Sequence, residues 1–85
     1  MSDQTTSAAN ARELSFGEKA VGITFNVGGS DLVNQIKTNY AALIDHLNLC
    51  RAQTDNPEKK RMYSVAITEA QTGQMWAVKA ATWPY

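Results

Sequence analysis

From Val33 onward, apolar side chains recur at steps of three and four: Val33, Ile36, Tyr40, Leu43, Leu47 and Cys50, with Ile44 widening the line. That spacing gathers them on one face of an α-helix and predicts a seam of coiled-coil type. Gly28, Gly29, Ser30 and Asp31 precede the pattern and supply a permissive turn and an N-cap oxygen. The helix is expected to stop near Arg51, because Ala52-Gln-Thr-Asp-Asn-Pro57 holds turn formers and a proline suited to a first helical position. A second helical pattern runs from about Pro57 to Thr82. So short a connection makes the two helices antiparallel neighbours. At 1.5 Å per residue they are roughly 30 and 39 Å long.

The second helix carries two different lines. Ala66, Ala70, Gly73, Ala77 and Ala81 form a small-residue face that allows another helix to approach closely. Thr72, Trp76, Lys79 and Trp83 form another, with a cation between two indoles and no acid three or four residues away. Met62, Val65, Met75, Trp76 and Trp83 are spread around the rest, so the pair has more apolar surface than it can cover by itself. The excess predicts self-association.

Between Leu14 and Val27, Gly17 and Gly22 break any long helix and β-branched residues favour extended backbone. A short helical turn or irregular arm is expected, with Phe16, Val21, Ile23 and Phe25 pinned against the helices. Residues 1–13 are polar and small and read as a flexible head, leaving 14–85 as the folding unit. The expected fold class is therefore all-α: an antiparallel two-helix hairpin with a short N-terminal arm or helix, assembling into a homo-oligomer.

Charge and composition narrow the function. Eight basic and eight acidic residues cancel, which argues against coating duplex nucleic acid. No apolar run is long enough for a membrane, and no leader is evident, so a soluble intracellular protein is expected. The single cysteine, Cys50, forms no intrachain disulfide; with His46 four residues before it, it is at most half a zinc site. His46 has no nucleophile at motif spacing, and Asp45, Asp55 and Glu69 form no evident acid pair. Catalysis is not expected, nor is a cofactor.

The candidate chemistry is anion binding. The turn Phe25-Asn-Val-Gly-Gly-Ser-Asp31 leads into a helix N-terminus, where free N–H groups favour phosphate, although the plainer reading is a helix cap. Lys37, like Lys79, lacks an acid at three or four residues on either side. Each alone reads most simply as a solvated lysine, but cations beside aromatics also suit a nucleotide. Lys59-Lys-Arg61 opposes the dipole at the start of the second helix, and several copies of Arg61 near a symmetry axis could meet a polyphosphate. Trp76 reads as an interface residue.

A family resemblance rests on the blocks Gly17-Glu-Lys-Ala-Val-Gly22, Phe25-Asn-Val-Gly-Gly-Ser-Asp31, Ile36-Lys37, Ile44-Asp45 and Ser64-Val-Ala-Ile-Thr-Glu-Ala-Gln-Thr-Gly-Gln-Met-Trp-Ala-Val-Lys-Ala-Ala-Thr-Trp83. Over roughly residues 14–84 they resemble the helical-hairpin domain of small phage proteins that include the anti-CBASS cyclic-nucleotide sponges. The same hairpin is similar to part of the larger anti-Thoeris sponges, whose β-rich region is missing here. The resemblance implies a homohexamer in the cytoplasm of an infected bacterium. It would sequester cyclic dinucleotides such as cyclic GMP-AMP, and cyclic trinucleotides in separate pockets, without cleavage. It further implies Phe25 and Asn26 as base contacts, Lys37 as phosphate ligand, Thr82 and Trp83 as completing the pocket from a neighbouring subunit, and Arg61 as the trinucleotide residue. The competing expectation is an oligomeric helical module that binds another protein through its tryptophan face.

Overall fold

The computed structural model describes residues 12–85, which fold as three helices without strands: α1 (Phe16–Ala20), α2 (Asp31–Ala52) and α3 (Pro57–Ala81). Helices α2 and α3 end within a residue or two of where the sequence places them. Ser30 Oγ accepts from Val33 N at 3.2 Å to cap α2. Asn56 Oδ1 accepts from Glu58 N at 2.9 Å and Lys59 N at 3.1 Å, and Pro57 opens α3 where its missing N–H costs nothing. Among the described residues, no helix is long and apolar enough to cross a membrane.

Five residues are too few for a free helix, so α1 depends on its surroundings. Ser15 and Glu18 form a reciprocal capping box: Glu18 N donates to Ser15 Oγ at 3.1 Å, and Ser15 N to Glu18 Oε1 at 2.8 Å. Arg12 donates both guanidinium ends to the same carboxylate, at 2.9 and 3.1 Å. Hydrogen bonding from Arg12, then from the Ser15 backbone, pulls the Glu18 carboxyl down to about 2. Asp45 then moors α1 to α2, accepting from Ser15 Oγ at 2.7 Å and Gly17 N at 2.6 Å. At Gly17 the two backbones nearly touch: a Cβ there would lie 2.1 Å from Ala41 O. Glycine is required at that crossing by approach distance, not merely as a helix breaker.

The core is small. Val21, Ala41, Ile44 and Ile67 form it, with Ala20, Ile23, Tyr40, Leu47 and Ala70 packed around, and Ile44 alone is a large side chain with no exposure. Its line on α2, Val33, Lys37, Ala41 and Ile44, is displaced from the expected seam, and Leu43 is 46% exposed. The shift arises because α1 lies along Ala41 and Asp45, covering a strip that the periodicity of α2 cannot reveal. The small-residue face of α3 is half-buried, and a Cβ at Gly73 would stand 3.1 Å from Tyr40 Oη.

The Cα extents are 45 × 42 × 12 Å and the radius of gyration is 15.4 Å, against about 12 Å for a compact chain of this length. The protein is one layer of helices. At the closed end of the hairpin, Arg51 fastens all three: its guanidinium donates to Ser64 Oγ on α3 at 2.9 Å and to Asn48 Oδ1 on α2 at 2.7 Å, and lies 5.5 Å from the Phe16 ring centroid on α1. The flexible head expected over residues 1–13 falls outside the described residues as far as residue 11; Arg12 is held by Glu18.

Candidate functional site: two lysines at aromatic surfaces

Lys37 is buried, with 4% of its surface exposed, which overturns the reading of it as an ordinary solvated lysine. The residues that bury it come from the α1–α2 loop. Its ammonium donates to the carbonyls of Gly22, at 3.0 Å, and Phe25, and the Phe25 ring centroid lies 5.4 Å away. Gly22 adopts φ +61°, which turns the chain back across α2. Among the described residues no carboxylate reaches Lys37; the ion pairs there are Arg12–Glu18 and Arg61–Glu58. The ammonium is answered by carbonyl dipoles and by no opposite charge among the described residues, and two bonds leave one of its three N–H groups without a protein partner.

Phe25 does not pin the arm to the helices as expected: it is 71% exposed. Its backbone faces inward to Lys37 and its ring remains at the surface, so the loop is fixed by a carbonyl. Asn26 Nδ2 donates to Ser30 O at 2.9 Å, which commits the amide nitrogen to the turn and leaves Oδ1 as its other polar atom. Phe25, Asn26 and Lys37 are thus brought together at one place. The positive-φ glycines Gly28 and Gly29 and the Ser30 cap complete the bend, so the plainer reading of that motif, helix capping, is realised.

Near the end of α3 the second lysine sits in the arrangement expected from spacing. Lys79 Nζ is 5.2 Å from the Trp76 ring centroid and 5.5 Å from that of Trp83. Both indoles are well exposed, and Tyr85 meets Trp83 edge-on at 5.3 Å. Trp76, Lys79, Ala80 and Trp83 line an open hollow of about 410 Å³. Thr82 caps the helix and turns its hydroxyl back to Val78 O at 2.8 Å.

Arg61 stands apart. Twenty-one residues separate it from Thr82 on one helix, roughly 32 Å. Its guanidinium is paired with Glu58 at 2.6 and 3.0 Å, which lowers the Glu58 carboxyl and raises Arg61. Sequence reasoning passed over the part of two groups that hold α1 and so the loop over Lys37: Glu18, whose Ser15-x-x-Glu signature was readable, and Asp45, which spacing cannot connect to α1. Cys50 Sγ lies 3.8 Å from His46 Nε2, and no group of three metal-ligating side chains occurs among the described residues.

Neither curated proteins nor solved structures give a significant match to the chain. A family model does match, that of the Acb2/Tad1 hairpin domain, over residues 9–82. That span contains all three helices, the Lys37 site, and Trp76 and Lys79, and ends one residue before Trp83. The chain belongs to the Acb2/Tad1 hairpin-domain family.

Proposed function

We propose that this protein is a sponge that binds cyclic di- and trinucleotide immune messengers and withholds them, uncleaved, from the effectors they activate. The observation that carries the reading is Lys37: a buried cation, unneutralised among the described residues, with a spare donor beneath an exposed aromatic ring. A cyclic dinucleotide offers the complement, a phosphate for the ammonium and a planar base for the Phe25 ring. Asn26 Oδ1 supplies an acceptor for a base edge.

One layer of helices cannot enclose a ligand, so the pocket is completed by other copies of the chain. In this reading the copies form a hexamer, and Thr82 and Trp83 of a neighbouring copy close over Phe25 and Lys37. Arg61, released from Glu58, serves the trinucleotide pocket near a symmetry axis. The family match and the phage-protein resemblance support this reading, in which the protein acts in the cytoplasm of an infected bacterium.

The test is thermal unfolding with and without ligand. At a hundredfold excess over Kd, cyclic GMP-AMP or cyclic tri-AMP adds about 2.7 kcal/mol, or about 15 °C for a domain of this size. Heat denaturation should then return intact ligand. No shift by a folded oligomer removes the proposal, and cleaved ligand replaces it with a phosphodiesterase. The exposure of Trp76 and Trp83 favours one other reading, docking of a partner protein, which predicts no shift with any cyclic nucleotide.

A further inference from the structure

We infer that His46 and Cys50 form half of a metal site, which two copies of the chain complete around one soft divalent cation such as zinc. The two residues stand one turn apart on α2, and Cys50 Sγ lies 3.8 Å from His46 Nε2. Tetrahedral zinc, with Zn–S about 2.3 Å and Zn–N about 2.0 Å, holds such a pair of ligand atoms about 3.6 Å apart. The gap therefore already matches the bite of the ion, and a small side-chain rotation closes the rest. His46 is exposed and Cys50 half-buried, so a cation reaches both from solvent. A thiolate and an imidazole together select zinc or cobalt over magnesium and calcium, which take oxygen ligands.

Two donors do not make a structural zinc site, which takes four from protein. No third metal-ligating side chain joins the pair among the described residues. The surface around it says what supplies the rest. By helical spacing His46 falls between Leu43 and Leu49 on α2, and these are 46% and 53% exposed, left uncovered by the chain's own core. An apolar strip with a His–Cys pair at its centre suits an isologous contact, in which the same patch of a second copy faces it across a two-fold axis. Near that axis two imidazoles and two thiolates meet one ion, while the leucines bury one another. Each thiol gives up its proton to solvent as its sulfur binds the metal. The contact uses the outward face of α2 and none of Phe25, Asn26, Lys37, Thr82 or Trp83, so it stands apart from nucleotide binding.

Cobalt(II) is the probe, because its absorption reports both the ligand atoms and the geometry. Cys50 is the chain's single cysteine, so any thiolate-to-cobalt charge-transfer band comes from it. Titrated into the reduced wild-type protein without nucleotide, cobalt should give that band together with intense tetrahedral visible bands, saturating at one ion per two chains, and zinc should displace it. Cys50→Ser should abolish the charge-transfer band, and His46→Gln should weaken binding at least tenfold. Leu43→Lys, which removes no metal ligand, should weaken it at least tenfold as well, because the copies must meet; circular dichroism checks that all three variants keep their helices. Absence of the band from folded wild-type protein, an unchanged titration in His46→Gln or Leu43→Lys, or saturation at one ion per chain overturns the inference. The titration contains no nucleotide and draws on no residue of the Lys37 pocket. Its failure therefore leaves the sponge reading standing, and failure to capture cyclic GMP-AMP leaves the metal site standing.

Discussion

Lys37 and Lys79 look alike in sequence and end in opposite environments. Both sit on long helices, neither has an acid at three or four residues, and each lies near an aromatic ring, at 5.4 Å in one case and 5.2 and 5.5 Å in the other. Lys37 is buried beneath backbone carbonyls, whereas Lys79 stands in solvent between indoles. The difference lies in a loop from elsewhere in the chain. Helical spacing describes what a residue meets on its own helix; the Gly22–Phe25 crossing decides what lies on top of it.

That contrast can be broken at its root. Gly17→Ala should be the most damaging change, about 3 kcal/mol by chemical denaturation, because its Cβ meets the Ala41 carbonyl and Asp45. Moving α1 off α2 also frees the loop that follows it, and Lys37 should then become as reactive to amine-labelling reagents as Lys79. Unchanged stability would mean that α1 does not hold the loop down.

Next comes Lys37→Ala, which leaves the Gly22 and Phe25 carbonyls without their donor and should cost about 2 kcal/mol. Lys79→Ala, by contrast, should stay within about 0.5 kcal/mol, as exposed substitutions usually do. Equal losses at the two positions, measured by urea unfolding, would erase the distinction between them.

The smallest effect concerns the clamp that starts α1. The Glu18 carboxyl is held at about 2, so the folded state keeps it ionised where an unfolded chain would bind a proton. Its contribution is complete above the ordinary carboxyl value near 4.5 and is lost as pH falls through about 2. Carboxyl carbon shifts should show Glu18 titrating near 2, and Arg12→Ala should move that midpoint upward. A midpoint near 4.5 in the intact protein would mean that Arg12 and Ser15 do not grip it.

The two long helices were legible because every signal agreed: period, N-caps Ser30 and Asn56, Pro57, and a short polar connection. The grouping of Trp76, Lys79 and Trp83 was legible too, since all three fall within one short stretch at the end of α3. The Lys37 site was readable only as a list of residues. Nothing in the spacing of α2 says that Ala41 rather than Leu43 lies inward, or that Phe25 shows its ring to solvent while its carbonyl turns in. Those outcomes depend on contacts between residues 12 to 30 positions apart, such as Lys37–Phe25, Gly17–Asp45 and Ser15–Asp45.

The small core has a consequence for how such a hairpin drifts over generations. With five buried apolar residues, and one large side chain wholly enclosed, packing constrains few positions of the sequence. Volume and pattern suffice at most of the others. Two chains could keep this shape while sharing little beyond a glycine where α1 crosses α2, an acid to receive its amide, caps on the long helices and small residues where they touch. Kinship in such a fold is written in a handful of obligatory contacts, and the rest of the surface is free to change with whatever it must hold.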